Sequence, residues 1–285
     1  MHQHTTTQSA NDGLPRFYSK NGEDYFAWSV LGRPRSGFFV EVGAFNGVFL
    51  SGTYAFEMLG WRGICVEPHP RYFPLCKANR PNAACIHAAC VGNGGPAEIE
   101  FVAESLGLYS GIGVDRASME AKYASLGKEV SFEVVKVPAR TLGAILEECN
   151  APRVDVMTVD TEGSELEVLG SVDLDRYAPK VLIIEAMAGA ERGVKRAMRA
   201  RGFTFLRRIG RVNLAFSSDP AVIEASRGFR IDCTLEPHVH PDGISSTGMR
   251  YRQPRSIRES ASSQAIVEVK QTIRGLVQST GLWSR

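Results

Sequence analysis

Short apolar segments, most of them ending in glycine or an acidic residue, alternate along the chain with helical segments. This alternation is typical of βαβ units, in which helices join the parallel strands of one sheet. The predicted strands are 38–42, 64–67, 83–91, 97–102, 132–137, 154–159, 181–185, 203–207 and 212–216. The predicted helices are 48–59, 70–79, 141–149, 164–170 and 191–201. We therefore expect a doubly wound, mostly parallel α/β sheet.

The last two predicted strands distinguish between doubly wound folds. Residues 203–207 and 212–216 lie on either side of a turn at Gly210, so they should form an antiparallel hairpin. A parallel sheet that ends in such a hairpin is the plan of class I methyltransferases rather than of nicotinamide dehydrogenases. We expect seven of the predicted strands to form such a sheet. A fold by itself does not establish an activity.

Three regions of the chain differ in composition. Residues 1–15 are polar without periodicity and predict a flexible arm, whereas 16–218 carry the α/β pattern. In the extension, 219–285, apolar residues recur every four positions and predict one long amphipathic helix over 256–280. The apolar positions are Ile257, Ala261, Ala265, Val269, Ile273 and Val277. Because such a helix needs a partner surface, we expect it to dock on the domain or to form a homodimer.

Composition argues against several classes of partner. The formal net charge is only +2, which gives no basic face for nucleic acid, and the cluster Arg207, Arg208 and Arg211 is interpreted as a solvated strand end. No run of about 18 apolar residues predicts a membrane span. The six cysteines include no Cys-x-x-Cys pair, and residues 1–13 lack the apolar stretch of a secretory signal. A reduced, cytoplasmic protein is expected.

The first candidate site is the loop after strand 38–42, which reads Glu41-x-Gly43-x-x-x-Gly47. Small residues at this point let the backbone approach a ligand closely. The loop lacks the three glycines that serve a dinucleotide pyrophosphate, and the acidic Glu41 would repel that group. The pattern favours a cationic, phosphate-free nucleoside such as S-adenosylmethionine, the alternative being a simple packing turn.

The second candidate is Glu67, which ends the next strand 24 residues after Gly43. This is close to the spacing at which an acidic residue binds a ribose diol in nucleotide-binding folds. A carboxylate offers two acceptor oxygens to the two adjacent hydroxyl groups. An exposed acid at a strand end is the alternative interpretation.

The third candidate is the segment Asp160-Thr-Glu162, at the end of strand 154–159. These acids could hold the amino group of S-adenosylmethionine, take a proton from the substrate or bind a divalent metal. No complete metal site is predicted. Alternatively, Glu162 and Glu165 are first-turn acids that complement a helix dipole. His238, His240 and Asp242 are too few for a metal site and are expected in an exposed loop. No nucleophile elbow of a hydrolase occurs.

Several linked motifs resemble those of the FkbM family of S-adenosylmethionine-dependent methyltransferases, over about residues 19–217. They are Asn21-Gly-Glu-Asp24, Phe39-Val-Glu-Val-Gly-Ala44 with Gly47, Gly60-Trp-Arg-Gly-Ile-Cys-Val-Glu-Pro68, Arg140-Thr-Leu142, Asp160-Thr-Glu-Gly-Ser-Glu165 and Arg201-Gly-Phe203. The resemblance implies that S-adenosylmethionine binds across 41–47 and Glu67, with Asn21, Ala44, Pro68 and Asp160 among the binding residues. The family commonly has Gln where this chain has Lys20, a change that could alter acceptor choice.

The resemblance also implies methyl transfer to a hydroxyl group of a sugar, glycan or secondary metabolite. The expected mechanism is an in-line displacement in which Asp160 or Glu162 takes the proton of the attacking hydroxyl. Two alternatives remain at this point. One is a cofactor-binding regulatory protein without catalysis, and the other is a nicotinamide-dependent oxidoreductase.

Overall fold

The computed structural model describes residues 15–125, 127–187, 189–237, 240–242 and 255–259. The strands in these ranges are β1 (Phe38–Val42), β2 (Arg62–Val66), β3 (Ala83–Ile86), β4 (Ala89–Cys90), β5 (Glu98–Glu104), β6 (Phe132–Arg140), β7 (Val156–Val159), β8 (Val181–Glu185), β9 (Thr204–Ile209), β10 (Asn213–Ser217), β11 (Asp232–Leu235) and β12 (Arg255–Arg258). The helices are α1 (Glu23–Val30), α2 (Tyr54–Met58), α3 (Phe73–Asn79), α4 (Arg116–Ser125), α5 (Leu142–Glu148), α6 (Glu165–Gly170), α7 (Leu174–Tyr177), α8 (Glu191–Ala200) and α9 (Pro220–Ser226).

Seven strands form the main sheet, in the order β3-β2-β1-β7-β8-β10-β9. The five strands from β3 to β8 are parallel, whereas β10 runs antiparallel to both β8 and β9. This is the predicted doubly wound sheet of class I methyltransferase type with its closing hairpin. The strand order reverses between β1 and β7, which is where open α/β sheets bind ligands.

The sheet is buried on both faces, as its unbroken apolar strands predict. On β1, Val40 and Val42 pack into one core with α5, α6 and α8, while Phe39 packs into the other with α1 and α2. Thr141 caps α5 by accepting a hydrogen bond from the Ala144 amide. Among the described helices, none is both long and apolar enough to cross a membrane.

Two predicted elements differ from the structure near the cleft. The helix expected over 48–59 begins only at Tyr54, because Ser51, Gly52 and Thr53 bind the Glu41 side chain instead of forming a helical turn. Leu50 accordingly has a left-handed backbone, with φ of 58°. The strand expected over 83–91 divides into β3, in the main sheet, and β4, which pairs with β6 in a second sheet.

The C-terminal extension also differs from its prediction. Residues Arg255–Arg258 form β12 and pair with β11, so the predicted helix over 256–280 is wrong at its start. Ile257 lies opposite Cys233 and packs with the core, a contact that a sequence period cannot reveal. The remaining positions of that helix, from residue 260 onward, lie outside the described residues. Residues 1–14 of the predicted arm also lie outside the described residues. The homodimer contact expected from the helix stays a prediction.

Described parts of the extension share the core of the domain. Ile231 and Leu235 are buried in the same cluster as Phe17 and Phe26. The Arg207 guanidinium donates to the Glu259 carboxylate at 2.5 Å. The predicted boundary at residue 218 therefore separates two segments that pack together.

We predict that Leu235→Ala lowers the free energy of unfolding by about 2–5 kcal/mol, because it leaves a cavity in the shared core. Leu75→Ala is the matched control, since Leu75 is 39% exposed and Leu235 is fully buried. The control should change stability by less than about 0.5 kcal/mol. Urea unfolding of both variants measures the difference. Equal effects would show that the extension does not pack on the domain in solution.

Candidate functional site

A cleft of about 1380 Å³ lies along the carboxyl ends of β1, β2, β7 and β8. Pockets for one drug-sized ligand typically measure about 300–1,000 Å³, so this cleft has room for two reactants. Most of the residues proposed from the sequence line it: Asn21, Glu41, Gly43, Ala44, Glu67, Pro68, Asp160 and Glu162. Gly47 does not line the cleft.

Gly43 lets the loop after β1 contact the loop after β7. Its φ is 83°, and a Cβ atom there would lie 1.9 Å from the carbonyl oxygen of Asp160. Its amide also donates to the Val66 carbonyl at 2.9 Å, as the Ala44 amide does at 3.1 Å. Only glycine therefore lets the β1 loop pass between the ends of β2 and β7, which places Glu67 and Asp160 on the same cleft.

Glu41 holds the loop that follows Gly43. Its carboxylate accepts hydrogen bonds from Ser51 Oγ at 2.9 Å, the Gly52 amide at 2.9 Å and Thr53 Oγ1 at 2.6 Å. The Arg80 guanidinium adds an ion pair at 3.0 Å. These four partners occupy the carboxylate, so Glu41 positions the loop, and its predicted direct contact with a cofactor stays a prediction.

Arg80 follows α3 and joins it to the Glu41 loop and to α2. It is 1% exposed, and its Nε lies 2.5 Å from the Glu57 carboxylate of α2. Its Nη1 donates to the Gly47 carbonyl at 2.9 Å, and a Cβ atom on Gly47 would lie 2.7 Å from Arg80 Cγ. Gly47 is thus needed for packing behind the loop, and its role is indirect.

Glu67 is the acid best placed to receive a ligand on β2. Its two oxygens accept the Phe45 amide at 2.6 Å and the His69 amide at 2.7 Å, which fixes the side chain at the cleft. Each oxygen keeps further acceptor capacity. Burial raises the pKa of Glu67 to about 8, and Asp160 and Glu41 add repulsion. Two hydroxyl donors would stabilise its charged form.

Three carboxyl groups meet in the cleft at the carboxyl ends of β7 and β8. Oxygens of Asp160, Glu162 and Glu185 lie within 4.8 Å of one another. Glu165 shapes the loop that presents the first two, because its carboxylate accepts the amides of Thr161 and Gly163 at 3.1 and 2.8 Å. Glu162 has a left-handed backbone, with φ of 55°. We call Asp160, Glu162 and Glu185 the acid triad.

The acid triad binds protons more tightly than ordinary carboxyl groups. Desolvation raises the pKa of Glu162 to about 9 and that of Glu185 to about 7, and mutual repulsion adds to both. Asp160 is exposed to the water of the cleft. Its pKa is also raised, through desolvation and then through Glu185.

This arrangement favours any group that brings a proton or a positive charge. A cationic ligand or a proton taken from a substrate would both relieve the repulsion. The three carboxylates also provide the hard oxygen donors that Mg²⁺ or Ca²⁺ prefers. A divalent metal therefore remains the alternative to direct proton transfer.

The histidine pair considered in the sequence does not form a described metal site. His238 lies outside the described residues, and the expectation that His240 is exposed is wrong. His240 is 2% exposed, and its Nε2 lies 2.8 Å from the Leu106 carbonyl. Its ring packs against those of Phe45 and Phe49, each with centroids 5.5 Å away. It packs behind the loop that follows Gly43.

Sequence reasoning singled out Lys20 but missed Glu185, Lys122 and an apolar end of the cleft. Glu185 ends β8 as Asp160 follows β7, so the strand-end rule could have found it. Lys20 and Lys122 lie beside the acid triad and lower its pKa values, but nothing in the local pattern around Lys122 marks it. An apolar end of the cleft is made by Ala88, Ala89, Cys90, Phe101 and Ile112.

Comparison with known proteins identifies the family. The sequence profile described as the methyltransferase FkbM domain matches residues 41–226. The chain belongs to the FkbM methyltransferase family. No curated protein sequence is significantly similar to it.

Solved structures of similar fold have low identity. The precorrin-6y C5,15-methyltransferase of Geobacter metallireducens GS-15 is 12% identical, with TM-score 0.37, over 68% of this chain and 84% of that one. The methyltransferase domain of METTL16 is 12% identical, with TM-score 0.40, over 69% and 66%. A precorrin 8w decarboxylase of Methanobacterium thermoautotrophicum is 12% identical, with TM-score 0.35, over 83% of both chains.

We predict that the free energy of unfolding of the ligand-free protein falls as pH rises from 5 to 8. Glu67, Glu162 and Glu185 have folded pKa values raised above the ordinary 4.5. The folded state therefore binds more protons than the unfolded state in this range, so a rise in pH favours unfolding. Urea unfolding at pH 5, 6.5 and 8 measures the slope.

Glu162→Gln should flatten this slope, because glutamine does not titrate. Glu100→Gln, at an exposed position on β5, is the control and should leave it unchanged. A slope equal in wild type and in Glu162→Gln would show that Glu162 is already ionised in the folded protein at pH 5.

Proposed function

We propose that this FkbM-family methyltransferase uses S-adenosylmethionine to methylate a hydroxyl group of a sugar, glycan or secondary metabolite. The observation that carries the proposal is that Glu67 and the acid triad line one cleft, on either side of the Gly43 loop, because β2 and β7 flank β1. One side offers acceptors for a ribose diol. The other offers proton-binding groups for a hydroxyl acceptor.

The cleft supports one orientation of the cofactor. The ribose hydroxyls donate to Glu67, and the adenine ring lies against the apolar end formed by Ala88–Cys90, Phe101 and Ile112. The sulfonium and amino groups then face the acid triad, whose raised pKa values a positive charge would lower. A nicotinamide dinucleotide is disfavoured because its pyrophosphate would lie between Glu67 and Asp160.

The acid triad supplies the proton acceptor that an alcohol requires. The acceptor oxygen attacks the methyl carbon and forms the new oxygen–carbon bond as the carbon–sulfur bond breaks. The electron pair of the broken bond stays on sulfur, which becomes a neutral thioether. The hydroxyl proton passes to a carboxylate of the triad, for which Asp160 is proposed. A base is most effective when its pKa lies near the working pH, and burial raises the pKa of each acid of the triad above that of an ordinary carboxyl group. Alignment of the two reactants supplies much of the remaining rate.

We expect Glu67→Ala to weaken S-adenosylmethionine binding at least tenfold. The change removes hydrogen bonds to a charged acceptor, each worth about 1.5–3 kcal/mol. Calorimetry with S-adenosylmethionine and with S-adenosylhomocysteine measures the loss. Glu100→Ala is the exposed control, and Glu67→Gln tests whether charge or an acceptor oxygen is needed. Unchanged affinity in Glu67→Ala would remove this residue from the cofactor site.

We expect Asp160→Asn to lower single-turnover methyl transfer about 10²- to 10⁴-fold, with a smaller change in cofactor affinity. Glu162→Gln and Glu185→Gln show whether the triad acts as a unit, since equal losses would indicate a shared proton. If none of the three slows transfer, the proton leaves by another route. Activity that is lost on chelation and restored by Mg²⁺ would instead assign these acids to a metal.

The same assay separates the remaining alternative, a regulatory protein that binds the cofactor without chemistry. Such a protein would bind S-adenosylmethionine with Glu67 but would transfer no methyl group to any acceptor in extracts of its host. Mass spectrometry of small molecules and glycans, with and without the protein, is the corresponding search for the acceptor.

A further inference from the structure

Three cysteine thiols meet where α3 packs on the edge of the main sheet. Cys65 lies on β2, Cys76 on α3 and Cys85 on β3. Their sulfur atoms all lie within 4.8 Å of one another, and Cys76 Sγ is 4.0 Å from Cys85 Sγ. The three residues are not among those that line the cleft. We call them the thiol cluster.

The fold brings these thiols together from three elements of one βαβ unit. Cys65 and Cys85 lie opposite each other in the register of the parallel strands β2 and β3, so their side chains share a face of the sheet. The helix that joins the two strands, α3, packs on that face and adds Cys76. The other cysteines, Cys90, Cys149 and Cys233, belong to no such group in the described chain.

The spacing of the sulfur atoms fits a shared metal ion better than a disulfide. The two sulfurs of a disulfide are about 2.05 Å apart. Cys76 and Cys85 are separated by nearly twice that distance, 4.0 Å. Two thiolates on one Zn²⁺ ion, with zinc–sulfur bonds of about 2.3 Å in tetrahedral geometry, lie about 3.8 Å apart. A bridging ion therefore needs little movement of α3 or β3.

The surroundings of Cys85 favour metal entry and thiolate formation. Cys65 and Cys76 are buried, whereas Cys85 is half-buried, which opens the thiol cluster to the surface at one point. Hydrogen bonds from the thiols of Cys65 and Cys76 lower the pKa of the Cys85 thiol. The charges of Arg80 and Lys77 lower this pKa further. The thiolate is the form of cysteine that binds a metal.

We propose that the thiol cluster binds one soft, thiophilic cation, Zn²⁺ or Cu⁺, through the three cysteine sulfurs. Thiolate ligands select such ions over Mg²⁺ and Ca²⁺, which prefer oxygen. This site goes beyond the proposed function, because it lies outside the cleft and its occupation is measured without S-adenosylmethionine.

An ion in the thiol cluster would link α3 to the sheet beside the Glu41 loop. A Cβ atom on Gly47 would lie 3.3 Å from Cys76 Cα. The Arg80 amide donates to the Cys76 carbonyl at 3.0 Å. Cys76 is therefore next to both the loop and the arginine that holds it, and we infer a structural role for the ion.

The test titrates Cd²⁺ into the reduced, chelator-treated full-length protein in the absence of oxygen. Cadmium thiolates absorb ultraviolet light by charge transfer from sulfur, and cadmium carboxylates lack this band. One equivalent of Cd²⁺ should produce the band and release protons from the thiols. Zn²⁺ or Cu⁺ should displace the bound Cd²⁺, and the ion that acts at the lower concentration is the preferred one. A large excess of Mg²⁺ should leave the band unchanged.

Cys85→Ala should lower the affinity for Cd²⁺ at least about tenfold and weaken the band. Loss of even an outer partner of a metal ligand typically costs about 10- to 100-fold in affinity. Cys76→Ser, which keeps the volume of a buried side chain, is the second variant and should have the same effect. Cys149→Ala is the matched control, since Cys149 is also half-buried but packs against the core on the other face of the sheet.

Circular dichroism shows which variants are folded, and a folded variant of either cluster cysteine is sufficient for the comparison. The inference is overturned if the wild-type protein gives no thiolate band with one equivalent of Cd²⁺. It is also overturned if the band persists at full strength in a cluster variant, if Cys149→Ala loses it equally, or if neither Zn²⁺ nor Cu⁺ displaces Cd²⁺.

Discussion

The cleft depends on one buried charge, the guanidinium of Arg80 between the carboxylates of Glu41 and Glu57. Ions removed from water lose several kcal/mol of solvation each, so the group is stable only when its hydrogen bonds are satisfied. They are satisfied here, since Arg80 also binds the Gly47 carbonyl, Ser51 Oγ and Thr53 Oγ1. Its guanidinium lies 4.9 Å from the centre of the Phe39 ring.

This network gives different surroundings to Glu41 and Glu67, two acids whose positions in the sequence pattern are similar. Glu41 and Glu67 both lie at the carboxyl ends of neighbouring strands and both are buried. Glu41 is neutralised by Arg80 and holds the loop, whereas Glu67 has only backbone donors as partners and faces the cleft. One carboxylate therefore holds the loop while the other keeps acceptor capacity toward the cleft, and the difference arises from Arg80, 39 positions after Glu41.

The sequence was sufficient for features that depend on local pattern. Strands 38–42 and 181–185 were predicted to the residue, since unbroken apolar runs form buried parallel strands. The sequence pattern was insufficient where contacts between distant residues determine the local structure. The helix expected from residue 48 is delayed to Tyr54 by Glu41 and Arg80, and the period that starts at Ile257 is overridden by pairing with Cys233. The acid triad was found in two of its three members, because the strand-end rule was applied to β7 and not to β8.

The buried His240 has a consequence for how the chain is organised. Residues 41–226 match the family, but His240 lies outside that match and packs on Phe45 and Phe49, in the loop that follows Gly43. Asp242 adds an ion pair to Arg71 at 2.6 Å, beside the same loop. An equilibrium between docked and undocked forms of this segment would be linked to occupation of the cleft, because Phe45 and Phe49 also line the cleft. Linkage of this kind is reciprocal: whatever affinity the docked segment adds at the cleft, an occupied cleft returns to the segment.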